Sequence, residues 1–538
     1  MNLAAKSIAG DECRDGLRPM GYGTRVDKRY SRREYAVDAA GMAFVILVTT
    51  ALCFPFFRTI YWMGDEGVLL LGAERMLEGS RLYRDFFEFL PPGGFVVTSA
   101  WFSLIGISFP AARALAIASV VVIASFTNMA CRRASGSVPL SLMLPVGWVM
   151  MSQGLWTVVN HHYFATMFSM IAIWATLHSI EHRPRSSFVT GIAAAMAAMV
   201  TPTRGALVLL AAAASIMFMD KRGARLTMYF LGITAVISGF VFYLATSHSL
   251  VAAFDDFIVF PLRSYSSVQA VPFGWWAETR NLPLKYLFPV LAVLSILASA
   301  YEWRAIFRDP LLVSCILFFG AAFLGCYPRP DIAHIAFAAP LVCPLFALCC
   351  GRLIYRWRPI FRYILAGCAI GLCAPAGMAF GKVASTALQQ ETALTPRGLV
   401  AFVGQPGATE LITRIDAMPR NEAFFYYPYM PMMSFLSGRV QTSKYDIFVP
   451  YYTQPDQYKD ACDSIMSHTR WAVLQRTSME VWTIAFPAMK HVAPSELTAF
   501  ESALDRGFDL KELVGGFELR QRNGEDELAL CGGIAKSK

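Results

Sequence analysis

Eleven apolar runs follow one another along the chain, near residues 40–60, 110–131, 138–156, 158–180, 187–201, 203–219, 226–246, 283–301, 310–326, 333–350 and 361–381. A helix needs about 20 apolar residues to cross a bilayer. So many runs in series leave one fold class, a polytopic α-helical membrane protein. Composition agrees: of 538 residues 56% are hydrophobic and 16% charged, with a mean hydropathy of +0.45. Soluble domains carry about 25% charged residues. The numbers exclude a set of soluble globular domains, a disordered chain and a disulfide-stapled secreted scaffold.

One further stretch, 92–108 (PGGFVVTSAWFSLIGIS), is short and belongs to a Pro-Pro-Gly-Gly opening. Whether it spans decides the side of everything after it. Cytoplasmic loops are enriched in Lys and Arg. The short basic loops hold Arg132 and Arg133, then Arg183 and Arg185, then Lys221, Arg222 and Arg225, then Arg304 and Arg308, then Arg352, Arg356, Arg358 and Arg362. With 92–108 flat at the interface, all five share a side with the basic tail, residues 1–39. That choice gives about eleven spans within 40–384, the N-terminus inside and the C-terminus outside. Ser31-Arg32-Arg33 superficially matches a twin-arginine signal, but no small-residue cleavage site follows, so the first span reads as an uncleaved signal anchor. The net charge, 47 − 38 = +9, sorts mostly onto the inner loops and the tail. It gives no reason to expect nucleic acid.

Residues 385–538 return to ordinary soluble charge density and read as a small C-terminal α/β domain outside the membrane. FFYYPYM (424–430), WAVLQRT (471–477) and VWTIAF (481–486) read as strands, and 455–467 and 494–506 as helices. Its two cysteines, Cys462 and Cys531, pair in an oxidising compartment if the fold brings them together, which the sequence leaves open. The other ten cysteines match no metal-ligand spacing and read as small apolar fillers.

With this topology the unusual polar residues gather on the outer side. In the external loop 61–109, Asp65 and Glu66 sit directly beyond the first span. An apolar stretch from Val68 to Met76 then suits a helix lying on the membrane surface. Carboxylates at a membrane boundary are costly unless paired or functional; the alternative is that the pair caps the surface helix. Asp85 and Glu88 follow, one of them solvated. Further external turns carry Asn160, His161 and His162; Arg204; Asp255, Asp256, Arg263 and Tyr265; and Tyr327, Arg329, Asp331 and His334. Arg113 opens span two. Asp255 and Asp256 read as a helix-end or solvated pair. External arginines oppose the positive-inside bias, and an anion bound there is the simplest reason, because guanidinium suits phosphate. Structural ion pairs, such as Arg329 with Asp331, are the alternative for any single one. A cation facing a lipid-phosphate leaving group and a carboxylate facing an incoming hydroxyl describe glycosyl transfer.

The order of span one, Asp65-Glu66, a surface helix ending Leu77-Glu78-Gly79-Ser80-Arg81-Leu82-Tyr83, then Asp85, Pro91-Pro92 and a second surface helix resembles the GT-C glycosyltransferases. The likeness is nearest to the protein O-mannosyltransferase and aminoarabinose-transferase-like branch, of glycosyltransferase family 39 type. It implies two juxtamembrane helices in the first external loop and Asp65 as catalytic carboxylate, with Glu66 its companion. It also implies Glu88 beside the lipid phosphate, Arg113 and Arg263 as phosphate-facing arginines, and Arg204 where relatives often place a lysine. Arg329, His334 and Tyr265 complete the expected substrate set. His161 and His162 stand where many relatives have an aspartate, as acceptor contacts or as interfacial packing. The metal-linked histidine near Arg263 in some members is Phe or Pro here. No cofactor is therefore expected to be required, and a divalent metal stays open.

The expected reaction is inverting transfer from a polyprenyl-phosphate sugar to a glycolipid, polysaccharide or protein acceptor at the outer face of a bacterial inner membrane, among membrane lipids. A transporter or lipid flippase is the alternative, but midspan charges and repeat symmetry are both lacking. A non-catalytic assembly protein is another.

Overall fold

The computed structural model describes residues 32–153, 157–301, 309–356, 358–439 and 441–534. The basic tail before residue 32 and the loop arginines Arg304 and Arg308 lie outside them. Helix α1 (Arg32–Cys53) leads through a short strand, β1 (Thr59–Ile60), into α2 (Asp65–Leu77) and α3 (Gly93–Ile105). Then come α4 (Phe109–Ser135), α5 (Val138–Ser152), α6 (His161–Ser179), α7 (Ser186–Val200), α8 (Pro202–Met217) and α9 (Arg222–Thr246). The following stretch is broken into α10 (Leu250–Phe254), two π-helical turns and α11 (Ser266–Gln269). The apolar part closes with α12 (Leu282–Tyr301), α13 (Pro310–Leu324), α14 (Ile332–Arg356) and α15 (Arg358–Leu388).

Among the described helices, α1, α4, α9 and α14 are long and apolar enough to cross a membrane, and α5, α7, α8 and α13 are apolar but shorter. The chain is a multi-pass membrane protein. Helix α6 is central, packed on α4, α7, α8 and α14. In that core the Trp148 indole donates to the Ala336 carbonyl at 2.8 Å, beside buried Tyr163 and Phe337. Five alanines of α7 (Ala193, Ala194, Ala195, Ala197 and Ala198) are buried. Such small residues let α6, α8 and α9 approach closely. Helix α3 has 13 residues, about 20 Å of length, too short for a hydrocarbon core of about 30 Å.

Helix α2 departs from the expectation of a surface helix. Every residue from Glu66 to Glu74 is buried, because α3 packs on one side and a C-terminal helix on another. The run Val68-Leu69-Leu70-Leu71 is apolar all round, and such a helix belongs inside rather than on a surface.

The C-terminal region follows helix α15, which runs on to Leu388. It contains β2 (Ala393–Thr395), β3 (Gly398–Phe402), α16 (Ala408–Asp416), β4 (Phe424–Tyr427), α17 (Pro431–Ser437) and α18 (Pro455–His468). After these come β5 (Trp471–Leu474), α19 (Met479–Ala485), α20 (Ser495–Gly507), β6 (Phe508–Val514), β7 (Phe517–Arg522) and α21 (Glu527–Cys531). One sheet has the order β4-β5-β7-β6, with β4 and β5 parallel and the rest antiparallel. The other, β1-β3-β2, pairs Thr59 and Ile60 in parallel with Ala401 and Phe402. It ties the C-terminal domain to the segment just before α2. The strand expected at 481–486 is helix α19 instead. Ser478 caps it by accepting from the Val481 N–H, and only Trp482 of its residues is buried.

Cys462 and Cys531 form a disulfide that joins α18 to α21 across a sequence separation of 69. Replacing both by Ser should lower the stability of this domain by about 2–4 kcal/mol, read as faster limited proteolysis of the full chain. Unchanged proteolysis would show that the bond contributes nothing.

Candidate active site

The first turn of α2 is the centre of the site. Gly64 is its N-cap and Asp65 its first residue. The Asp65 side chain is exposed, and its Oδ1 accepts a hydrogen bond from the Tyr429 hydroxyl at 2.7 Å. Tyr429 stands between β4 and α17, so the C-terminal domain reaches the start of α2 directly. The Met432 N–H donates to the Met63 carbonyl at 2.9 Å, and the Trp62 and Tyr429 rings meet edge-on at 6.4 Å. This approach requires glycine twice. A Cβ on Gly64 would strike the Tyr429 ring, and one on Gly67 would strike the Met432 backbone. Burial, then the neighbouring Asp65 and Glu88 carboxyls, push the Tyr429 phenol well above its ordinary range, so it remains a donor.

Glu66, expected as Asp65's companion, points the other way. It is 4% exposed, forms an ion pair with Arg113 and accepts the Val159 N–H at 2.8 Å. Arg113 is fully buried, donates to the Thr59 carbonyl at 2.6 Å and lies 4.4 Å from the Phe109 ring centre. Expected as a phosphate ligand, it is paired here with Glu66 and β1, and its Nε is buried without a hydrogen-bond partner. A buried carboxylate and guanidinium satisfy each other best when paired.

Arg329 is likewise occupied. It bonds Asp331 at 2.7 Å, the Gln269 side chain at 2.8 Å and the Ala485 carbonyl at 3.0 Å, between the Trp276 and Phe486 rings. His334 Nδ1 lies 2.7 Å from Asp331. Burial raises the Asp331 carboxyl, but His334 and then Arg329 more than reverse this and hold it at about 2. The structural alternative for Arg329 is the geometry found. The His334 ring meets His162 edge-on at 4.5 Å, and His162 lies tilted against His161 at 4.0 Å; Nδ1 of each of the last two is buried without a hydrogen-bond partner.

Among the described buried arginines, Arg113 and Arg439 each leave Nε without a partner, while Arg204 and Arg280 each leave two donors free. Arg204, in the first turn of α8, is 0% exposed and bonds only Thr166, at 3.2 Å, leaving Nε and Nη2 without partners. Arg280, on the 3-10 turn before α12, bonds the Gln153 carbonyl at 3.0 Å and likewise leaves Nε and Nη2 free. Its charge reaches Tyr61, four residues before Asp65. Arg204 lies against the first turns of α6, through Thr166 and beside His161 and His162, and the α6 dipole favours an anion there.

Glu88 is 1% exposed, and its Oε2 has no partner. Burial, then Asp446, hold its carboxyl well above the usual range. Asp446 itself takes a two-pronged pair from Arg75 at 2.6 and 3.1 Å. Asp256 is not simply solvated: burial lifts it to about 7, although the Glu88 backbone N–H opposes this. Asp85 is the more exposed acid, paired with Arg84 at 2.7 Å. Arg263 lies exposed on a π-helical turn. Tyr265 is on the same turn, with its side chain outside what is described. Among the described residues no group of three or more His, Cys, Asp or Glu is arranged to hold a metal ion.

Sequence reasoning missed Tyr429 and Arg280. Tyr429 carried no signal, being 364 residues from its partner. Arg280 had one, a further cation in an external loop, which was passed over.

No protein-family model matches the sequence, and no curated protein matches it. Solved structures do. ArnT from Cupriavidus metallidurans bound to undecaprenyl phosphate aligns with a TM-score of 0.53 at 12% sequence identity, over 94% of this chain and 100% of that one. The apo state of the same protein gives 0.54 at 12% identity over the same shares. The chain therefore has the fold of ArnT.

Proposed function

We propose that the protein is an inverting glycosyltransferase that moves a sugar from a polyprenyl-phosphate donor to a lipid or envelope-glycan acceptor on the outer face of the inner membrane. The observation that carries this reading is Asp65. It is an exposed carboxylate at a helix start, with one oxygen tied to Tyr429 and the other open; elsewhere in the membrane part Arg204 and Arg280 are buried with free donors. The acceptor hydroxyl gives its proton to Asp65 as it attacks the anomeric carbon. The bond to the phosphate oxygen breaks, and Arg204 and Arg280 stabilise the charge that develops on the departing lipid phosphate. The fold shared with an ArnT crystallised with undecaprenyl phosphate supports a donor of that class. The Cys462–Cys531 bond supports a C-terminal domain in an oxidising compartment, and the clustering of Lys and Arg in the loops expected on the opposite side agrees with it.

Deleting the gene and comparing envelope lipids and glycans by mass spectrometry tests the reading. The expected result is loss of one sugar-bearing species and accumulation of its unmodified acceptor; an unchanged envelope would sink the proposal. Replacing Arg280 by Gln should weaken binding of undecaprenyl phosphate to the purified chain in nanodiscs by about 10- to 100-fold, as expected when a charge-assisted hydrogen bond is lost. Unaltered affinity removes Arg280 from the phosphate site.

A further inference from the structure

We propose that Tyr429 is a positioning residue for Asp65, through which the C-terminal domain sets the carboxylate in its productive orientation. The proposal rests on the reading of Asp65 as general base. Three contacts fix Tyr429 against the start of α2, and a fourth holds its neighbour Met432 there. Its hydroxyl donates to Asp65 Oδ1 at 2.7 Å. Its ring lies over Gly64, where no side chain would fit, and edge-on to Trp62. Three residues on, Met432 is tied through its backbone to Met63. Around this point the domain is clamped to the 59–77 segment by the β1–β3 pairing, by the Arg75–Asp446 pair and by the Arg397–Glu74 pair.

A carboxylate on a freely turning side chain presents either oxygen in many directions, and catalysis rewards a base held where its proton acceptor must be. Tying Oδ1 to a rigid phenol leaves Oδ2 as the oxygen that takes the proton. Tyr429 donates and never receives the transferred proton, so it acts through Asp65. The consequence is regulatory: a base borne by the membrane part is aligned only while the C-terminal domain is docked.

The groups acting on the phenol are Asp65, Glu88 and Tyr452. Glu66 faces Arg113, and Asp446 faces Arg75. A hydroxyl donating to an ionised carboxylate favours the ionised form, which gives the test a readout that loss of packing would not produce. Membranes of the deletion strain expressing each variant contain donor and acceptor together. The rate of formation of the missing species is followed by mass spectrometry between about pH 5 and about pH 9. Tyr429→Phe keeps the ring and its packing. It should lower the rate progressively more toward the acid end of this range than near pH 9, because the carboxylate that has lost its donor takes up a proton more readily. Its affinity for undecaprenyl phosphate should be that of the wild type. A rate unchanged at every pH, or lowered by one factor throughout, overturns the positioning role. Asp65→Asn in the same assay separates the two claims. An active Asp65→Asn refutes the base itself, whereas a silent Asp65→Asn beside a pH-independent Tyr429→Phe refutes only the positioning.

Discussion

Replacing Asp65 by Asn should lower sugar transfer by about 10²- to 10⁴-fold, the usual worth of a positioned general base, with little change in stability. The substitution is nearly isosteric. An Asn carbonyl oxygen still accepts from the Tyr429 hydroxyl, so the link to the C-terminal domain is kept. The side chain is exposed, so no buried partner is orphaned. The one structural loss is a negative charge in the first turn of α2, about 0.3–1 kcal/mol where a helix dipole is involved. An amide, however, cannot take the proton of an attacking hydroxyl. Rate should therefore collapse while thermal unfolding and undecaprenyl phosphate affinity stay near wild type. Transfer within threefold of the wild-type rate would move the base elsewhere.

What the sequence revealed and what it hid divide along range. Asp65 was legible because its signal is local: a carboxylate directly after an apolar span, before a short helix. The eleven apolar runs were legible for the same reason, and each carries a helix. Tyr429 was invisible, since nothing in FFYYPYM says that its sixth residue meets a carboxylate 364 positions earlier. The all-apolar face of α2 was misread as membrane-facing because composition does not distinguish lipid from a covering protein domain. VWTIAF was misread as a strand because a short apolar run is ambiguous between strand and helix, and the Ser478 cap settles it. Arg113 shows a subtler failure. An arginine at the outer end of a span violates the positive-inside pattern, and the violation was taken to signal a ligand. Its partner was in plain view at Glu66, but 47 residues away, beyond the reach of pattern reading.

That pair makes the last and largest stability prediction. Arg113→Met should destabilise the protein by about 3–5 kcal/mol, the range for breaking a buried ion pair from one side. The loss exceeds a packing defect because Glu66, 4% exposed, would be left charged with only the Val159 N–H as partner. It also spreads. Arg113 holds the Thr59 carbonyl, and Thr59 is paired in register with Ala401 of β3, so β1 and the docked C-terminal domain loosen together. Adding Glu66→Gln to Arg113→Met removes the orphaned charge and should restore most of the stability, since a buried pair is often replaceable as a unit. The measurement is thermal unfolding of the two purified variants, with undecaprenyl phosphate affinity taken on the double variant. A phosphate-binding arginine predicts the opposite pattern: a stable single variant with weak donor binding, and no rescue from the second substitution. Recovery of both stability and affinity in the double variant leaves Arg113 the task of holding the catalytic loop in place, and the phosphate to Arg204 and Arg280.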